Sequence, residues 1–375
     1  MSLRYQGAWL QTGAFDPLAS PSPIYQPYLY SFGQNNFGQL GTSNLTYYSS
    51  PKQVGLLANW ASVSSGNTFV ASTKSDGTLW TWGRNNNGQL GLGNITNYSS
   101  PKQVGSLTNW SSVSAGNIFC AAIKTDGTLW SWGANNFGQL GIGNTTDYSS
   151  PKQVGSLTNW RLVSCGTSFA LAIKTDGTLW SWGGNGTGAL GLGNITDYSS
   201  PKQIGALTNW SFVSAGGIHS LAVKTDGTVW SWGQNNRGQL GLGNVTYRSS
   251  PVQIGALTNW LKVAAGYQFS IATKTDGTIW AWGKNDQGQL GQGNITYRSS
   301  PVQIGALTNW LTPTAGSNQS LAIKTDGTLW SWGYNASGEL GLGNTTNRSS
   351  PNQVGASTTW LAVSAGNQFT IALAY

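Results

Sequence analysis

Charge is scarce in this chain. Charged residues make up 8% of its 375 residues, with 19 Lys and Arg against 11 Asp and Glu. So little charge excludes a disordered polyelectrolyte. There is one histidine, His219, and there are two cysteines, Cys120 and Cys165. That leaves no histidine-rich metal centre and no disulfide framework. The cysteines stand where other copies of a repeat carry Val70, Ala170, Ser65 and Ala115, so both read as small core residues. Six of the 11 acids are the Asp of an Asp-Gly-Thr tripeptide, and the rest (Asp16, Asp147, Asp197, Asp286 and Glu339) are scattered. A hydrolase or transferase needs a positioned acid, base or nucleophile. The chain is therefore expected not to be an enzyme and to need no cofactor or metal. Apolar runs are short of the ~18 residues that span a bilayer. The opening MSLRYQGAWLQTGAFDP lacks a basic start followed by an apolar stretch, so no secretory signal is read there. The expected location is cytoplasmic or virion-associated, with no membrane insertion.

What the chain has is repetition. Asp-Gly-Thr begins at Asp76, Asp126, Asp176, Asp226, Asp276 and Asp326, and a Gly-x-Leu-Gly element ends at Gly41, Gly91, Gly141, Gly191, Gly241, Gly291 and Gly341. The period is 50 residues throughout, which signals a solenoid, propeller or array. Of the 20 Trp, 19 occupy three fixed repeat positions and read as packing. Within one copy, Trp160–Ser164 and Phe169–Lys174 are strand-like, the second alternating Phe169, Leu171 and Ile173 with small residues. Asp176-Gly177 supplies the positive φ of a tight hairpin, and Leu179–Gly183 follows as a third strand. A fourth is expected around Pro151–Val154 and its equivalents. Four short strands per copy and no helical apolar stripe make the fold class all-β, a seven-bladed β-propeller.

The copies begin and end in mid-unit. Tyr28–Gly33 has no hairpin or strand before it, and the chain stops after Phe369–Leu373 where a hairpin should follow. These halves are complementary, so pairing of the N- and C-terminal strands is expected to close the ring and remove its open edges. One propeller thus spans 28–375. Residues 1–27 form a Pro- and aromatic-rich arm, with Tyr5, Trp9 and Phe15 as candidate anchors to a larger assembly.

The unit A-G-x-x-F-x-x-A-x-K-T-D-G-T-L-W-S-W-G-x-N-x-x-G-Q-L-G-L-G, followed by S-S-P-x-Q-V, resembles the regulator of chromosome condensation repeat family over residues 28–375. The resemblance implies a seven-bladed propeller closed by its two ends. It also implies a protein-binding role, since members serve as an exchange factor for a small GTPase, a photoreceptor and an enzyme inhibitor. Only His219 keeps the histidine common in the family at this position. Phe69, Phe119, Phe169, Phe269 and Phe369 replace it in five copies, and Gln319 in another. The constant spacing leaves no room for the exchange factor's wedge-like insertion, and the photoreceptor's Gly-Trp-Arg-His-Thr segment is absent.

If the hairpins lie on one rim, the Ala-Gly-x-x turns and the Trp-Gly-x-Asn-x-x-Gly loops share the other. The turns and loops are where the copies drift. Aromatic and Arg side chains are the usual interface anchors, so the expected partner-binding face is centred on Phe37, Arg84, Phe137, Arg237, Tyr267, Lys284 and Tyr334. Repeats one to four pair Tyr48, Tyr98, Tyr148 and Tyr198 with a Lys four residues on, whereas repeats five to seven carry Arg248, Arg298 and Arg348. The net charge of +8 comes partly from Lys74, Lys124, Lys174, Lys224, Lys274 and Lys324, one per repeat. These read as a solvated charge ring rather than a nucleic-acid patch. The leading functional reading is a non-enzymatic scaffold presenting one face to a protein partner, in one version a phage or virion surface component anchored by the arm. The alternative is a regulator of a GTPase or other enzyme acting through the loop face. A third reading is a glycan-binding propeller.

Overall fold

The computed structural model describes residues 26–375. Seven four-stranded antiparallel sheets stand in a ring, and no helix occurs among the described residues. One blade shows the pattern. Trp160–Cys165 is innermost, Phe169–Lys174 second, Leu179–Gly183 third and Tyr198–Gln203 outermost. The second strand is fully buried, because its residues meet the neighbouring blades on both faces. The outermost strand is half-buried over Tyr198–Pro201 and exposed at Lys202 and Gln203. It begins three residues before the proline that marks it in the sequence, and its register slips between Gly183 and Ser181. Sequence reading missed that extension because the bulge breaks the two-residue alternation.

The ring closes as the chain ends require. Tyr28–Gly33 pairs antiparallel with Phe369–Ala374 from Tyr28↔Ala374 to Gly33↔Phe369. The closing blade therefore takes its two inner strands from the C-terminal end and its two outer strands from residues 28–53. Neither half of the split blade is left with an open edge, which removes a template for sheet-to-sheet aggregation.

Tryptophan holds blade to blade. Trp182 is fully buried, and its Nε1–H donates to the Gln139 carbonyl of the preceding blade at 2.9 Å. The same bond recurs from Trp82, Trp132, Trp232, Trp282 and Trp332. Burying one indole removes on the order of 200 Å² from water, an upper bound of about 5 kcal/mol. Gly191 is required beside this ring: a Cβ there would lie 2.7 Å from Trp232 Nε1. Near the axis, Ser164 Oγ accepts the Ala215 N–H at 2.9 Å, and Ser64, Ser114, Ser214 and Ser364 do likewise.

The hairpin rim corrects one expectation. Lys124, Lys174, Lys224, Lys274 and Lys324 are buried rather than solvated. Lys174 Nζ sits 3.7 Å from the Trp180 ring centroid and 4.9 Å from that of Trp160. Strand register is the cause, because it pairs Trp160 directly with Lys174. Burial lowers the Lys174 pKa, partly offset by Asp176. Asp176 in turn accepts from the Thr178 hydroxyl and N–H, which hold its carboxyl below the usual range. Thr178 Oγ1 then accepts from Trp180 Nε1 at 2.9 Å. Gly177, at φ +78°, passes so close to the Thr208 carbonyl that a Cβ would lie 2.0 Å from it.

Candidate partner-binding face

On the opposite rim each turn is stitched to its own blade's loop through the backbone. The N–H groups of Arg84, Gly184, Gln234, Lys284 and Tyr334 donate to the carbonyls of Thr68, Ser168, Ile218, Gln268 and Asn318. The drifting turns and loops therefore form one surface, away from the hairpins. Each loop has a rigid base. In one, Asn135 Oδ1 accepts the Leu140 N–H while its Nδ2 donates to the carbonyls of Asn144 and Thr146. Gln139 Oε1 accepts the Phe137 N–H at 2.9 Å. The fixed Asn and Gln hold the loop, so the variable residue between them projects from a preorganised support.

Of the seven residues singled out from sequence, Phe137, Arg237 and Tyr267 are exposed, and Phe37, Arg84, Lys284 and Tyr334 are half-buried. Phe37 and Arg84 come together across a blade junction, with the guanidinium 4.9 Å from the ring centroid. Tyr267 lies against Gly217, where a Cβ would meet its ring at 2.3 Å, so the glycine makes room for it. Lys284 Nζ is tied to Asp286 at 3.3 Å and to Asn318 Oδ1 of the next blade at 3.2 Å. That bridge leaves it less available than its position in the sequence implied. Tyr5, Trp9 and Phe15 lie outside the described residues.

Three aromatics of this rim were missed. Tyr47, Tyr247 and Tyr297 are exposed, and Arg237 stacks over the Tyr297 ring at 5.5 Å. Tyr247 Oη accepts from Gln234 Nε2 at 2.7 Å, and Tyr47 Oη donates to Asn36. Their repeat position also drifts, through Asn97, Asp147, Asp197 and Asn347. That drift was the available signal, obscured by a long connection without strand periodicity. Arg237, Tyr247, Tyr267 and Tyr297 together make an exposed aromatic-cationic arc over adjacent blades.

His219 does not reach this surface. It is fully buried, with Nε2 2.9 Å from Ser270 Oγ, and Ser270 Oγ donates to the Gln239 carbonyl. That leaves Nε2 as the donor and Nδ1 without a partner. Burial pushes its pKa down to about 3, so the ring is neutral in solution near neutrality. Burial likewise pushes the Cys165 thiol up to about 12 and the Cys120 thiol well above its usual range, so neither is a ready nucleophile. Glu339 is also buried, beside the strand that closes the ring. Among the described residues, no three of His, Cys, Asp and Glu gather as a metal site, and no helix is long and apolar enough to cross a membrane.

Residues 163–372 match the RCC1-like domain, and residues 28–72, 76–123 and 126–173 match the regulator of chromosome condensation (RCC1) repeat. No curated protein matches the chain by sequence. Among solved structures, Prp20p from Saccharomyces cerevisiae, described with its binding properties to Gsp1p and histones, superposes with a TM-score of 0.82. It is 20% identical, over 94% of this chain and 92% of that one. Yeast RCC1 (Prp20) bound to Kap60 gives 0.83 at 18% identity, covering 98% and 96%. Human WBSCR16 gives 0.83 at 22% identity, covering 93% and 99%. At such identities the superpositions speak for the fold alone. With its seven closed blades and a match over more than half its length, the chain belongs to the RCC1-like domain family.

Proposed function

We propose that this protein is a binding propeller that regulates a protein partner by docking it on the variable-loop face. One observation carries the reading. The hairpin rim repeats one Lys-Asp-Thr-Trp arrangement, whereas the opposite rim sets exposed Phe137 and Arg237 on hydrogen-bonded loops and exposed Tyr267 in the turn closed by the Gly266 N–H bond to the Phe269 carbonyl. Rigid aromatic and Arg anchors lose little conformational entropy on binding, which favours a protein interface. Family membership supports the regulator reading above the virion scaffold, and the binding of Prp20p to Gsp1p and histones supports proteins as the partner class.

The test compares wild-type protein with a Phe137→Ala/Arg237→Ala/Tyr267→Ala variant and with an Asp126→Asn/Asp226→Asn control on the hairpin rim. Binding of a partner captured on the wild-type ring should weaken by about 30-fold or more in the loop variant, the loss of one hot spot. The hairpin control should bind normally, and the partner's own activity should change on binding. Equal binding by the loop variant would overturn the proposed face. An unchanged partner activity would overturn the regulator reading.

A further inference from the structure

The junctions between blades repeat one arrangement on the outer wall. It lies between the Gly-x-Gly loop and outermost strand of one blade and the Ser-Pro of the next. In five copies the middle residue of that loop is aliphatic and packs on the buried core: Leu92, Ile142, Leu192, Leu242 and Leu342. The other two copies have Thr42 and Gln292. Open clefts of about 300 and about 500 Å³ occur at these two junctions. At both, a polar residue stands where the other copies carry the aliphatic one.

The larger cleft has the parts of a ligand site. Gln292 folds back on its own blade, donating through Nε2 to the carbonyls of Ala281 and Val302. Its Oε1 accepts from Arg298 Nε at 3.2 Å. This bond fixes the guanidinium while its terminal nitrogens make no hydrogen bond to a described residue. The side chain of Gln303, also in the lining, has no hydrogen-bond partner among the described residues either. Half-buried Trp330 walls the site, held edge-on at 5.9 Å by Trp310. No carboxylate lines the cleft.

We propose that this cleft binds an acidic pyranose, a sugar bearing a carboxylate. The sugar's C–H groups pack on the part of Trp330 not covered by Lys324, whose Nζ lies 3.7 Å from the ring centroid; its carboxylate takes the free N–H groups of Arg298, and a hydroxyl pairs with Gln303. The size suits one or two sugar rings, because small-ligand sites are typically ~300–1,000 Å³. A bidentate Arg–carboxylate pair supplies the discrimination between acidic and neutral sugars. The site lies on the outer wall and is independent of the loop-face proposal.

The test is ligand-observed saturation-transfer NMR on the full chain with glucuronate, glucose and inorganic phosphate as probes. Glucuronate should bind, glucose should bind about tenfold or more weakly, and Arg298→Gln should reduce glucuronate to the level of glucose. Gln292→Leu restores the plug found at the other junctions and should abolish binding without lowering the unfolding temperature. Absence of transfer to glucuronate would overturn the site, as would retained binding in Gln292→Leu. Equal displacement of glucuronate by phosphate would show a simple anion site, and indifference to Arg298→Gln would show that the carboxylate is not read. Either result overturns the acidic-sugar assignment.

Discussion

Replacing Glu339 by Gln isolates one buried ionisation at the seam of the ring. Five other copies carry Gln here, and in each its Oε1 accepts the N–H two residues earlier, as Gln139 does from Phe137. Glu339 keeps that bond, with Oε2 accepting from Ser337 N–H at 2.8 Å, but its Oε1 is buried without a partner. Burial pushes the carboxyl pKa up to about 7 from 4.5, against the backbone bonds that pull it down. The folded state thus holds the proton more tightly than the unfolded state does. The associated stability is complete below about pH 4.5 and is lost as pH rises through about 7. At 1.36 kcal/mol per pKa unit the full effect is about 3 kcal/mol. Glu339→Gln, with no proton to lose, should therefore gain on wild type by about 3 kcal/mol between pH 4 and pH 8. For a propeller of this length that is ~4 °C in unfolding temperature. Calorimetric scans of both proteins at intervals from pH 4 to pH 8 measure the difference, and other titrations cancel in the subtraction. A pH-independent difference would refute the reasoning, because it would mean that the carboxylate is solvated or paired in the fold.

Other consequences follow from the packing. His219 titrates in the opposite sense: with its pKa depressed from 6.5 to about 3, its stability is present above pH 6.5 and lost as pH falls. His219→Phe, the residue of five other copies, should gain about 2 kcal/mol on wild type between pH 7.5 and pH 5 in urea unfolding, and parallel curves would count against a buried neutral imidazole. Lys174→Met keeps the stem between Trp160 and Trp180 but loses the ammonium, and should cost about 1–2 kcal/mol by thermal unfolding. Trp182→Phe, the substitution that Phe32 makes in the closing blade, leaves the Gln139 carbonyl without its indole donor and should cost about 2 kcal/mol or more in denaturant unfolding. Ser164→Ala removes the acceptor of Ala215 N–H near the axis and should cost about 1 kcal/mol in the same assay, with no effect expected if solvent replaces the hydroxyl.

The ring was legible because its signals are local and repeated. Asp176-Gly177 fixes a hairpin, Trp180 and Trp182 share a strand face, and the half-blades at Tyr28 and Phe369 fit one another. The shared rim of turns and loops was also legible, since antiparallel strands alternate in direction. Burial of five of the six hairpin lysines was not. A lysine beside an Asp-Gly turn reads as exposed unless the register that sets Lys174 against Trp160 is known. Tyr247 and Tyr297 were passed over because no strand pattern runs through their loop. The Gly-x-Gly position of Gln292 showed variation but gave no sign that its aliphatic counterparts fill a cleft.

The sequence by itself determined the number of strands per blade, their order and the way the ring closes, because turn residues and alternating apolar residues act over a few positions. Only the tertiary structure decided which side chains meet across blade junctions: Arg84 with Phe37, Arg237 with Tyr297, Glu339 with the closing strand, and the cleft beside Gln292. These partners lie from about 30 residues to most of the chain apart, or in successive blades, and only closing the ring brings them into contact.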